Sequence, residues 1–113
     1  MNETNPANLT RNQIAVLEGL LKAGFTFLTF EKYARFLAVE KEGFVALLDP
    51  AEGKLRVFSQ AGYRIGEEIG TLVDRPEGKA FVCHDETVVA TPKLLEGYER
   101  FREDLQNLIL PAQ

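Results

Sequence analysis

The sequence predicts a two-layer α+β domain: an antiparallel β-meander of four to five strands with an N-terminal helix and a long C-terminal helix. Two segments, one near each end, repeat apolar residues at helical spacing. Between them lie short apolar runs joined by connections that contain Asp, Pro and Gly, which are typical of hairpins. Because hairpin connections set consecutive strands side by side, we expect a sequential strand order.

The composition is that of one globular domain. The chain has 113 residues, of which 45% are hydrophobic and 27% are charged, and this length is usual for one domain. We expect a flexible polar tail over residues 1–9 and a single domain over residues 10–113. The net charge of −4 argues against nucleic-acid or membrane binding, since both need clustered Lys and Arg. No secretion signal or membrane-spanning apolar run is recognisable, so we expect a cytoplasmic location.

The first helix is predicted over residues 11–23. Thr10 and Gln13 have the spacing of a capping box, in which each side chain bonds the backbone of the other residue. An apolar stripe at helical spacing follows, formed by Ile14, Leu17 and Leu21. Gly24 then provides a left-handed C-terminal stop.

Residues 25–33 allow two interpretations. Their aromatic and β-branched content favours a strand. Alternatively, Thr29 begins a short helical turn that carries Phe30, Tyr33 and Phe36 on one face.

The meander is predicted from five apolar runs and two matching turns. The runs cover residues 35–40, 44–49, 55–59, 69–73 and 80–84. Residues 49–54 and 74–79 are nearly identical in sequence, and each contains Asp, Pro and Gly in the order that a tight turn requires. We therefore expect a hairpin tip at each of the two.

The last helix is predicted over residues 92–109. Thr91 is a suitable N-cap, Pro92 fits the first helical position, and Pro111 follows the end. One apolar seam runs along the helix and consists of Leu94, Tyr98, Phe101, Leu105 and Leu108.

Residues 83–86, Cys-His-Asp-Glu, are the one cluster of catalytic or metal-ligating residue types. If they continue a strand, Cys83 and His84 point to opposite faces and share no site. The chain has no second histidine. We therefore expect no catalytic residue, no metal and no cofactor, and we favour a protein that is not an enzyme.

A ligand site is a weaker hypothesis for residues 62–70. A long glycine-containing loop holding Tyr63 and Arg64, with His84 nearby, is suited to an acidic or aromatic ligand. The simpler interpretation is a strand connection in which glycine relieves backbone strain.

Self-association is predicted from a surplus of apolar faces. Every residue from 44 to 48 is apolar, so this strand is covered on both sides. Two helices cover one face of such a sheet, which leaves the other face to a second copy unless residues 25–33 fold back over it. The helix seam suggests the contact residues Leu95, Phe101, Arg102 and Ile109.

The function most consistent with these features is a noncatalytic, self-associating protein-interaction module that forms a homodimer, with a further protein partner possible. The alternative is a small-molecule binding or sensing domain that uses residues 62–70 and the adjacent sheet face.

Overall fold

A computed structural model describes residues 9–109 and confirms an α+β fold with an antiparallel sheet, an N-terminal helix and a long C-terminal helix. The helices are α1 (Arg11–Lys22) and α2 (Pro92–Ile109). The strands are β1 (Thr26–Leu28), β2 (Leu37–Lys41), β3 (Phe44–Asp49), β4 (Arg56–Ile65), β5 (Glu68–Arg75), β6 (Gly78–Cys83) and β7 (Glu86–Val89). Most of the predicted tail, residues 1–8, and Pro111 lie outside the described residues.

The predicted strand number is wrong, because the described part of the chain has seven strands. Within residues 25–33 lies β1, and β7 follows β6 after a tight turn at residues 84–85. The sequential order β1 to β7 is confirmed, and every neighbouring pair is antiparallel.

The predicted start of α1 is confirmed in detail. The Gln13 backbone N–H donates to Thr10 Oγ1 at 3.0 Å, and the Thr10 N–H donates to Gln13 Oε1 at 2.8 Å. The helix stops before Gly24, whose φ is 97°. The Gln13 side-chain amide also donates to the carbonyls of Pro50 (2.8 Å) and Lys54 (2.9 Å), so it ties the helix to the β3–β4 connection.

The main core lies between the two helices and one face of the sheet. The bounds of α2 agree with the prediction, and its buried residues are Tyr98, Phe101, Leu105 and Ile109. Phe44 is the central aromatic residue of the sheet, with ring centroids 6.0 Å from Tyr98 and 5.9 Å from Phe101. This packing of an apolar helix stripe on an apolar sheet face forms the main core.

The part of the second sheet face that β2 and β3 form is covered by residues of the same chain. Phe30 is buried there with Ala38, Val45 and Leu47, and Leu28, Tyr33, Phe36 and Ile69 pack around them. Both interpretations of residues 25–33 are partly right, since β1 is followed by a 3₁₀ turn at Glu31–Tyr33 that begins after Phe30 rather than at Thr29. The covering segment removes the uncovered face on which the prediction of a second copy depended.

The sheet bends where β4 passes from β3 to β5. Pairing with β3 is irregular around Ser59, whose φ is 61°, and pairing with β5 is confined to the last residues of β4, from Tyr63 to Ile65. Gly62 and Gly70 approach closely at the bend, since a Cβ on Gly62 would lie 2.3 Å from the Gly70 carbonyl oxygen. After Gly70, β5 pairs with β6 instead of β4. Among the described residues, residues 57–60 therefore have no strand partner on the side of β4 that faces away from β3.

Neither of the two described helices is long and apolar enough to cross a membrane.

Candidate functional site

Residues 57–60 of β4 lie beside β3 and have no strand on their other side within residues 9–109; they are called the edge segment here. Val57 pairs with Leu48 of β3, which belongs to the main core. Phe58 pairs with Leu47 of β3, which is buried on the second face of the sheet. The two side chains therefore lie on opposite faces of the sheet. Both are unusually exposed for their type, Val57 at 43% and Phe58 at 41%. The segment thus offers apolar side chains on two faces beside an open row of backbone groups.

An open cleft of about 280 Å³ separates the edge segment from α2. Its strand wall includes Val57, Ser59 and Gln60, and its helix wall includes Glu99, Arg102 and Glu103. Arg102 forms an ion pair with Glu99 at 3.3 Å. The helix wall therefore carries one positive and two negative charges, with a net negative balance.

Tyr98 joins α2 to the end of the edge segment. Its buried hydroxyl donates to the Ala61 carbonyl oxygen at 2.9 Å. Burial raises the pKa of Tyr98, and the nearby guanidinium of Arg102, 5.5 Å from the ring centre, offsets part of that effect. The neutral phenol thus holds strand and helix in a fixed arrangement at the cleft.

Of the four predicted contact residues, the structure leaves one fully at the surface. Phe101 and Ile109 are each only 3% exposed and belong to the main core. Leu95 is half-buried against the same core. Arg102 is exposed and lines the cleft beside the edge segment.

The predicted ligand residues do not share one site. Residues 62–70 form a hairpin with a short turn at residues 66–67 rather than a long loop. Tyr63 packs into the core, and its ring centroid lies 5.3 Å from that of Phe44. Arg64 Nε donates to the Gly66 carbonyl oxygen at 3.1 Å. His84 lies in a second cleft, at the tip of the hairpin, which neither Tyr63 nor Arg64 lines.

The prediction that Cys83 and His84 point to opposite faces is wrong. Strand β6 ends at Cys83, and His84 occupies the following turn with a φ of 54°. Strand alternation does not apply to a left-handed turn residue. The ligand atoms of Cys83, His84 and Glu68 all lie within 4.8 Å of one another.

Comparison with known proteins adds no family or relative: no family model matches the sequence, and no curated protein and no solved structure matches it either.

Proposed function

We propose that this protein is a noncatalytic interaction module that forms a twofold homodimer through the edge segment of β4. The supporting observation is the exposure of Val57 and Phe58 on a stretch of strand that, in the described part of the chain, has no partner on the side away from β3. Natural proteins protect such edges with Lys, Pro, β-bulges or very short strands. The edge segment, Val-Phe-Ser-Gln, contains neither Lys nor Pro, and the protective feature it does contain is the irregularity at Ser59.

A second copy of the chain is the occupant best matched to this edge. Antiparallel pairing of two identical segments about a twofold axis extends the sheet and closes the assembly at two chains. Lys54 and Arg56, just before the edge segment, are exposed and basic, whereas Glu99 and Glu103 of α2 line the cleft beside it. Twofold pairing of two edge segments places these opposite charges of the two copies at the same interface.

The test is the mass of the purified chain in solution, measured by light scattering over a roughly hundredfold dilution. We expect twice the chain mass of 12.7 kDa. Val57→Lys introduces a charge on the pairing edge and is expected to give a monomer, since edge lysines block strand addition. Val89→Lys is the matched control, because Val89 is 68% exposed on a different edge strand, β7, and we expect it to remain dimeric.

Two results would contradict the proposal. A parent protein that stays at 12.7 kDa at every concentration excludes the dimer. A dimer that survives Val57→Lys but dissociates in Val89→Lys locates the contact at β7 instead of β4.

Small-molecule binding or sensing near residues 62–70 is the second candidate function. It is supported by the open cleft of about 300 Å³ at the tip of that hairpin. The carboxylates that line this cleft favour a positively charged ligand.

A further inference from the structure

Two hairpin tips lie side by side at one end of the sheet. The β4–β5 turn and the β6–β7 turn contribute residues 65–68 and 83–86 to one open cleft. They meet there because β5 joins the two hairpins: it pairs with β4 up to Gly70 and with β6 from Thr71 onward. The Cys83 thiol consequently lies 4.0 Å from Glu68 Oε1.

The β6–β7 turn brings His84 to the same point. Cys83 and Glu86 are the last pair of the hairpin, so His84 and Asp85 alone form the turn. The positive φ of His84, 54°, is a conformation in which histidine is enriched among non-glycine residues. It directs the imidazole to the cleft instead of the opposite sheet face.

We propose that Glu68, Cys83 and His84 form a binding site for one transition-metal ion of the zinc type. Their ligand atoms lie within 4.8 Å of one another. Tetrahedral ligands at zinc distances lie about 3.3–3.6 Å apart, so small rotations of these partly exposed side chains complete the site. Three protein ligands leave a fourth position for water or for a ligand from solution.

The ligand set indicates which ions bind. A thiolate and an imidazole favour Zn²⁺ and Co²⁺, whereas Mg²⁺ and Ca²⁺ require oxygen ligands throughout. Three more carboxylates, those of Glu67, Asp85 and Glu86, line the cleft and raise the local concentration of cations. The one cation recorded at Glu68 is the Lys32 ammonium, 3.4 Å from Oε1, on an exposed and flexible side chain that metal binding displaces.

The experiment is a titration of the reduced, full-length chain with Zn²⁺ by calorimetry and with Co²⁺ by absorption spectroscopy. We expect one ion per chain and a thiolate-to-cobalt charge-transfer band. Cys83→Ser, His84→Asn and Glu68→Gln should each weaken zinc binding at least about tenfold, and Cys83→Ser should abolish the band. Asparagine is chosen at position 84 because it tolerates a positive φ, and circular dichroism checks that each variant is folded.

Glu77→Gln is the matched control for Glu68→Gln, because Glu77 is an exposed carboxylate in the β5–β6 turn, outside the cleft. It should bind zinc like the parent, and Ca²⁺ and Mg²⁺ should not compete. The proposal is overturned if no stoichiometric zinc binds. It is also overturned if binding survives Cys83→Ser and His84→Asn, or if Glu77→Gln weakens it equally, because the general acidity of the chain then accounts for the binding. None of these three results depends on self-association.

Discussion

At the scale of single residues, Tyr98 links stability to pH. Its phenol is buried, donates to the Ala61 carbonyl at 2.9 Å, and has a raised pKa because burial disfavours the phenolate. A raised folded-state pKa means that the folded chain holds this proton more tightly than the unfolded chain. The stabilisation is therefore complete below the unfolded value of about 10 and is lost as the pH rises above it.

Tyr98→Phe should remove part of this alkaline destabilisation. The measurement is the free energy of unfolding in urea at about pH 8 and at about pH 10.5. Only the parent has the phenol of Tyr98, so only the parent loses its contribution between these two pH values. At the lower pH we expect the variant to be less stable by about 1–3 kcal/mol, because a buried carbonyl loses its donor. A variant that loses as much stability in alkali as the parent would show that Tyr98 is not the group responsible.

Gln13 and His84 show how far single residues are predictable from sequence. The capping bonds of Gln13 join residues three apart, so their spacing alone predicts them. Its bonds to Pro50 and Lys54 join residues 37 and 41 apart, and no local pattern indicates them. For His84 a signal was present: charged turn residues followed by Thr-Val-Val resemble a hairpin returning as β7. A strand predicted over residues 80–84 places Cys83 and His84 on opposite faces, whereas β6 ends at Cys83 and the turn brings the two side chains together.

At the scale of elements, the helices follow from local sequence and the bend of the sheet does not. Caps and apolar spacing predicted the bounds of α1 to within one residue and those of α2 at both ends. The predicted apolar stripe of α1 is wrong, because Ile14 and Leu21 are 40% and 53% exposed whereas Val16 and Leu20 are buried. The bend depends on the approach of Gly62 to Gly70 across two strands, which a sequence pattern does not express. Glycine there permits close backbone contact, and among residues 9–109 the edge segment just before it has no strand partner on the side away from β3.

Alanine at two glycine positions should have opposite effects. A Cβ at Gly62 would lie 2.3 Å from backbone oxygen, so Gly62→Ala forces the two strands apart and should cost about 1–3 kcal/mol. A Cβ at Gly19 within α1 meets nothing within 4 Å, so Gly19→Ala should stabilise by about 0.5–1 kcal/mol through helix propensity. Urea midpoints compare both variants with the parent. Equal and small effects would mean that the bend does not depend on the glycine contact.

At the scale of the whole molecule, the two proposed sites lie at different parts of β4. The edge segment ends at Gln60, and the metal cleft begins at Ile65, five residues farther along β4. Residues this far apart without shared partners contribute independently to stability. Because residues 28–36 cover the second sheet face over β2 and β3, the proposed self-association depends on this edge rather than on an open face.

Independence of the two sites predicts separable effects on thermal stability. The melting temperature of the parent should rise with protein concentration, because dimerisation stabilises the folded state by mass action. Zinc at about 100 times its dissociation constant should add about 2.7 kcal/mol, or about 10 °C for a domain of this size. Val57→Lys should remove the concentration dependence and keep the zinc shift, whereas Cys83→Ser should do the reverse. A zinc shift that disappears in Val57→Lys would mean that the ion is held between two copies, and the independence of the sites would then be wrong.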